Sequence, residues 1–277
     1  MRLATADSPA GSRIHRHVEQ VMGMPISLAL RGRHAADSAG RAAWTVVTAE
    51  LREVDAVFST YRPDSYVSRL GRGEIRIADC PIEVAEVIEL GREAEQQSGG
   101  AFSLNLPGAD GRRRFDPSGV VKGWAVERVA RHLRELADTD FCLSAGGDII
   151  CDTVTEDGRP WRIGIEDPRD ASRLVAVIPV RAGAVATSGT AHRGAHLVDP
   201  LTAQPPTGIA SVTVIDTSLT WADIDATAAY VHGRNAARWL QSRPIRSGLV
   251  VWADGTTTLV ARHIDRTRST TKKEVVP

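Results

Sequence analysis

The 277 residues carry 34 basic and 34 acidic side chains, a formal net charge of zero. That balance excludes the broad basic face of a nucleic-acid-binding protein. Hydrophobic residues at 42% and charged residues at 25% are ordinary for a soluble globular chain, and no apolar run reaches the roughly 18 residues needed to span a bilayer.

The opening stretch from Met1 to Gln20 is charged and has no apolar core, so it does not read as a signal peptide. With no lipid-anchor cysteine visible either, the expected location is the cytoplasm. Cys80, Cys142 and Cys151 cannot all pair with one another and show no CxxC spacing, so they read as buried thiols. The basic residues are almost all arginine. Lysine occurs only at Lys122, Lys272 and Lys273, and the last two sit in a polar tail. Lys122 is therefore the single lysine of the expected folded body. A compact ammonium is a point-charge partner for phosphate and is not interchangeable with a planar guanidinium.

In chain order, residues 14 to 30 read as two strand segments with a kink at Gly23 to Pro25. Trp44, Val47, Leu51, Val54 and Phe58 recur at steps of three and four, the stripe of an amphipathic helix. A turn is expected at Tyr61 to Asp64, then a short segment to Leu70 and a strand at 74 to 78. Pro81 opens a helix with Val84, Val87, Ile88, Gly91 and Ala94 on its inner face, ended by Gly99-Gly100. Residues 107 to 115 read as a loop and Gly119 to Leu136 as a helix. Residues 141 to 151 read as a strand interrupted at Gly146-Gly147. Further strands are expected at 160 to 165, 173 to 180, 183 to 187 and 210 to 216, with 195 to 199 extended. Residues 222 to 241 read as helical, and 246 to 252 with 256 to 262 as a closing strand pair. The mixture lacks regular βαβ alternation. The expected fold class is α+β, one compact unit with mixed or antiparallel sheets and packed helices.

Three short elements carry chemistry. Asp116-Pro-Ser-Gly-Val-Val-Lys122-Gly123 opens a helix, whose first N–H groups favour anions. Asp116 and Ser118 read equally well as local caps there. In Ala222-Asp223-Ile-Asp225-Ala-Thr227, Asp223 and Thr227 are one helical turn apart and project together. An oxygen-only pair of that kind suits a hard cation such as magnesium, although aspartate at a helix start also simply favours the dipole. Asp225 points elsewhere and reads as solvated or capping. His196-Leu-Val-Asp199-Pro200 lies in an extended segment, Ser188-Gly189 makes a tight turn, and Gly146-Gly147-Asp148 breaks a strand where a ligand or backbone approaches.

The order of these elements resembles the FAD:protein FMN transferases, the ApbE family. The series runs Asp-x-x-Gly-x-x-Lys-Gly, Gly-Gly-Asp, Ser-Gly, His-x-x-Asp-Pro and Ala-Asp-x-x-x-Thr. Met22-Gly23, the run Phe58 to Ser65 and Ser98-Gly-Gly-Ala-Phe102 are similar to the family's N-terminal elements. The likeness covers about residues 21 to 234. The transferase domain is expected over 14–265, between a flexible stretch at 1–13 and a polar tail at 266–277 that reads as disordered.

The resemblance implies FAD as substrate and magnesium at its pyrophosphate. Met22, Tyr61, Ala101, Phe102, Ser103 and Asp116 would bind the nucleotide, with Lys122 and the backbone near Leu197. Gly119, Asp223, Ala226 and Thr227 would hold the metal. His196, Asp223 and Lys122 would carry catalysis, with FMN passing to a serine or threonine of an acceptor flavoprotein.

Several positions depart from the family's usual pattern. Ser103 stands in place of aspartate, Gly71 in place of asparagine, and Met24 follows Met22-Gly23 in place of threonine. The stretch from Phe102 to Asp116 is short and carries Arg112-Arg113-Arg114, a solvated loop or a contact for phosphate. Two other readings stay open beside the transferase. One is an FAD pyrophosphatase, in which water replaces the acceptor hydroxyl. The other is an FAD-binding protein without catalysis.

Overall fold

The computed structural model describes residues 2–3, 13–108, 110–156, 158–189 and 197–261. The expected tail at 266–277 and most of the stretch at 1–13 lie outside the described residues. Strand β1 (Arg2–Leu3) precedes β2 (His15–Val21) and β3 (Met24–Gly32), which form a hairpin with Val21 opposite Met24. Its two turn residues, Met22 and Gly23, both sit at positive φ (55° and 70°), as a two-residue hairpin of the type I′ kind requires.

Helix α1 (Ser38–Phe58) is capped by Asp37, whose carboxylate accepts from the Ala39 and Gly40 N–H groups. It buries Val47, Leu51, Val54 and Phe58 of the stripe read from the sequence, and Trp44 is half-buried at its outer end, stacked on His17. The short α2 (Tyr66–Gly71) follows the Tyr61–Asp64 turn, capped by Ser65. Residues 74 to 78 are not a strand. Ile77–Asp79 form a single 3-10 turn, closed by the Asp79 carboxylate accepting from the Arg76 N–H. With Ile77 41% exposed, no sheet face is there to bury the alternating side chains.

Helix α3 (Ile82–Gln97) buries the five expected positions. The loop expected at 107 to 115 contains a small hairpin instead, β4 (Asn105–Pro107) with β5 (Arg113–Phe115). Arg112, Arg113 and Arg114 are all exposed, as a solvated stretch would be, and the Arg113 guanidinium also donates to the Asn105 and Pro200 carbonyls, tying the hairpin to a distant segment. Arg114 pairs with Asp110.

Helix α4 (Ser118–Arg134) leads into β6 (Thr139–Ala145) and β7 (Asp148–Asp152), a hairpin turning at Gly146-Gly147. Strands β8 (Trp161–Asp167), β9 (Asp170–Val180), β10 (Gly183–Gly189) and β11 (Ile209–Asp216) follow. The helix expected over 222–241 starts earlier and is broken. It is α5 (Leu219–Val231), a 3-10 turn at Gly233–Asn235, and α6 (Ala236–Gln241). The break falls at Gly233, whose φ of 55° cannot continue a right-handed helix. Strands β12 (Ser247–Trp252) and β13 (Thr257–Ala261) close the chain as a hairpin.

Eight strands form one sheet in the order β13-β12-β11-β10-β7-β6-β3-β2, every neighbouring pair antiparallel. The two-residue period of a strand gives the sheet two buried faces. Leu28, Leu30, Phe141, Leu143, Ile150, Ala184 and Ala186 face the helices in one core. Ala29, Cys142, Ile149, Cys151 and Val185 face a second core shared with Trp161, Ile163 and Val180 of the β1-β8-β9 sheet. The architecture is helices, a large antiparallel sheet and a small sheet in layers, which meets the α+β expectation. Cys142 and Cys151 are buried as expected, whereas Cys80 is only half-buried beside the 3-10 turn. No described helix is long and apolar enough to cross a membrane.

Candidate active site

The site grows from one face of the large sheet. Along β7, Asp148 shares the helix-facing side with Ile150. Along β10, Ser188 continues the line of Ala184 and Ala186 beneath α5. The small side chains of Ala184, Ala186, Ala222, Ala226 and Ala229 are fully buried and let α5 lie close on the strands.

Asp148 is 1% exposed. One of its oxygens, Oδ1, accepts the Thr187 N–H at 3.0 Å. The other, Oδ2, lies 2.5 Å from Lys122 Nζ, which arrives from the second turn of α4. The same ammonium is 3.3 Å from Asp223 Oδ1 on α5. Burial would push the lysine pKa down, but the carboxylates of Asp148 and Asp223 outweigh it and hold the pKa above the ordinary lysine value. One turn along α5 from Asp223, Thr227 Oγ1 meets Ser188 Oγ at 2.9 Å. Two carboxylates, two hydroxyls and a held ammonium thus converge from α4, α5, β7 and β10.

Gly123 permits that convergence. A Cβ there would lie 2.9 Å from the Leu219 carbonyl oxygen, 3.1 Å from Thr220 Cα and 3.2 Å from Asp223 Cβ. Gly123→Ala gains about 1 kcal/mol of helix propensity. It also forces α4 and α5 apart, at roughly 1–3 kcal/mol for overpacking. A lower melting temperature, with any activity also reduced, is the expected outcome of thermal unfolding and assay of that variant.

The first turn of α4 is fixed from the other side. Asp116 Oδ1 accepts the Ser118 N–H, and the Asp116 N–H donates to the Leu104 carbonyl at 2.7 Å. The Phe102 ring packs on Gly119, where a Cβ would approach it to 3.0 Å. Ala101, Phe102 and Ser103 are all buried, and the Ser103 hydroxyl donates to Glu95. The space over Gly100 is closed by Leu201, so the segment after Leu197 lies beside them. On the far side, Met24 Sδ would lie 3.1 Å from a Cβ on Gly146, so the Met22-Gly23 turn abuts the turn that carries Asp148.

Met22, Ala101, Phe102, Ser103, Asp116, Gly119, Lys122, Asp223, Ala226 and Thr227 therefore gather at one end of the sheet and helix layer. Tyr61 is 96% exposed in the turn after α1, so its ring packs on none of them. His196 lies outside the described residues. Asp225, read as solvated or capping, is 2% exposed and paired with Arg243 at 3.0 Å, and burial pushes its carboxyl up to about 6 against that pull. Sequence spacing missed Asp148 as a site residue: the Gly-Gly-Asp break marked a close approach but not the lysine 26 positions earlier that makes it.

Met22 carries a further sign of function. A methionine at φ 55° is strained, and strained backbone concentrates at ligand sites. Asn-Gly is the favoured pair for such a turn. Met22→Asn relieves about 1 kcal/mol of that strain but gives up the packing of a half-buried methionine on the core, so stability is expected to change little. If Met22 binds the nucleotide, the KM for FAD rises in the same variant. Paired melting and kinetic measurements check both halves.

Among the described residues no group of three or more His, Cys, Asp or Glu could hold a metal ion. The donors at hand are one carboxylate, hydroxyls and main-chain carbonyls. Such a set is poor for zinc and fits magnesium, which needs few protein ligands and keeps positions for phosphate and water.

The layered α+β fold thus brings carboxylates, hydroxyls and a held ammonium together at one end of the large sheet. The ApbE family model matches residues 22–109 and 106–249, and the chain belongs to that family. Similar proteins include the FAD:protein FMN transferase of Vibrio cholerae serotype O1, 37% identical over 129 residues, 43% of this chain and 38% of that protein. The FAD:protein FMN transferase of Escherichia coli K12 is 30% identical over 147 residues, 50% of this chain and 41% of that protein. The chain thus spans about two fifths of the length of these curated relatives. Among solved structures, the ApbE protein of Thermotoga maritima superposes with a TM-score of 0.76 at 20% identity, over 90% of this chain and 97% of that one. The Vibrio cholerae flavin transferase ApbE gives 0.75 at 24% identity, over 91% and 98%. At these identities the likeness shows the shared fold.

Proposed function

We propose that this protein is a magnesium-dependent FAD:protein FMN transferase. It cleaves FAD at the pyrophosphate, attaches FMN by a phosphoester to a serine or threonine of a partner flavoprotein, and releases AMP. The observation that carries the reading is Lys122 held against Asp223, next to the Ser188–Thr227 pair, in a chain of the ApbE family. The relatives' shared name supports the substrate.

Asp223 and Thr227, with the carbonyls of Gly119 and Ala226, would hold the magnesium. Bound there, the ion would offset the charge of the pyrophosphate and of the departing AMP. Lys122 adds a fixed positive charge at the same place, and the first N–H groups of α4 favour the phosphates. Met22, Tyr61, Ala101, Phe102, Ser103, Asp116 and the backbone at Leu197 would orient the nucleotide. The acceptor hydroxyl forms the new bond to the FMN phosphorus as the bond from that phosphorus to the AMP oxygen breaks. The hydroxyl proton passes to a base, a role for His196, which the resemblance puts near the reacting phosphate, or for a nearby carboxylate.

The test is incubation of the protein with FAD, magnesium and a candidate acceptor, followed by mass measurement of the acceptor. A gain of one FMN with AMP released is the expected result. AMP and free FMN with an unmodified acceptor would point to the pyrophosphatase. Intact FAD remaining bound under every condition would point to a binding protein.

A further inference from the structure

We propose that Asp148 is a positioning residue for the cation site, drawing the Lys122 ammonium aside from Asp223 so that the metal does not have to displace it. The proposal rests on the reading of Asp223 as a magnesium ligand.

The geometry is asymmetric. Lys122 Nζ is 2.5 Å from Asp148 and 3.3 Å from Asp223. Asp148 is well fixed for this task. Its main chain follows the Gly146-Gly147 turn, at φ 55° and 104°, and pairs with Ala145 across the hairpin. Its side chain is clamped by the Thr187 N–H, which leaves Oδ2 directed at α4. Buried as it is, the carboxylate cannot exchange the ammonium for water, so the pair persists. Without the Asp148 charge, the ammonium has one carboxylate left within reach in this pair, Asp223. It would then compete with a divalent ion for the same oxygens.

The test uses the full chain and Mn2+ as probe, with free Mn2+ read by electron paramagnetic resonance. Residues that orient metal ligands from behind typically change affinity by roughly 10- to 100-fold, and Asp148→Asn is expected to weaken Mn2+ binding on that scale. The double variant Asp148→Asn with Lys122→Met removes the competing ammonium together with the missing charge. It is expected to recover binding to within about threefold of the parent, a remainder well below that scale. The double variant leaves no unpaired charge in the pair, so it remains informative if the single variant folds poorly. Unchanged Mn2+ affinity in Asp148→Asn would overturn the proposal. So would a double variant as weak as the single, since Asp148 would then act through its own charge and not through the lysine. Asp223→Ala keeps the two failures apart. If it binds Mn2+ like the parent, the metal assignment itself is wrong and the inference falls with it.

Discussion

Asp223→Ala is expected to eliminate magnesium-dependent release of AMP from FAD while the protein remains folded. The carboxylate sits on α5, 3% exposed, between the Lys122 ammonium and the turn that presents Thr227. On the proposed function it is the one charged side chain of the metal set. Its loss removes both the ion and the geometry of the pyrophosphate. Removing a single preorganised electrostatic group commonly costs about 100- to 1000-fold in rate, and a loss at or beyond that scale is expected here. The fold survives because Lys122 keeps its shorter pair with Asp148, so no buried ammonium is stranded. Circular dichroism and melting of the variant check the second half. Normal magnesium-dependent turnover in Asp223→Ala would remove the metal assignment.

Lys122→Met is expected to lose activity and stability together. The methionine fills similar space but leaves the Asp148 carboxylate buried with no ammonium beside it, next to a second carboxylate on α5. Removing one partner of a buried ion pair costs about 3–5 kcal/mol. Adding Asp148→Asn to Lys122→Met is expected to return most of that stability and none of the activity, since the positive charge at the phosphates is still missing. Lys122→Arg is expected to restore neither in full, because a planar guanidinium cannot take the place of a compact ammonium between two carboxylates. Denaturant unfolding of the three variants separates these outcomes. Equal stability of Lys122→Met and the parent would show that the pair contributes nothing to folding.

The parts of this arrangement visible in the sequence were those written at short range. The stripes of α1 and α3 repeat at three and four residues, and the strands at 183–187 and 210–216 are rich in Val, Ile and Ala between turn signals. Asp223 and Thr227 announced themselves by one-turn spacing, and Lys122 by being the lone lysine in an arginine-rich body. What escaped was set by distant partners. Arg113 lies in a run without hydrophobic alternation, and its role appears only when Pro200 is folded beside it. Asp225 looks like an exposed helix-start residue until Arg243 arrives from beyond α6. The segment at 74–78 alternates like a strand but has no sheet to join, and a local Asp79 cap wins. Asp148 follows two glycines that could serve any tight turn; only tertiary packing aims its carboxylate at Lys122.

The departures at Ser103 and Gly71 have a physical setting in the structure. Ser103 bonds Glu95, and an aspartate there would place two carboxylates in contact. Gly71 ends α2 with the Phe115 side chain 3.9 Å from where a Cβ would stand. Both positions border the β4–β5 hairpin that occupies the shortened stretch, and the Lys122, Asp148 and Asp223 cluster is intact beside these departures.

Metal-dependent cleavage of FAD is read most directly as AMP formation from FAD. The protein is mixed with FAD in magnesium, in excess EDTA, and in EDTA followed by magnesium in excess, and AMP is followed by chromatography. AMP is expected in the first, none in the second and its return in the third. AMP formed equally with and without EDTA, or in none of the three, would contradict metal-dependent cleavage.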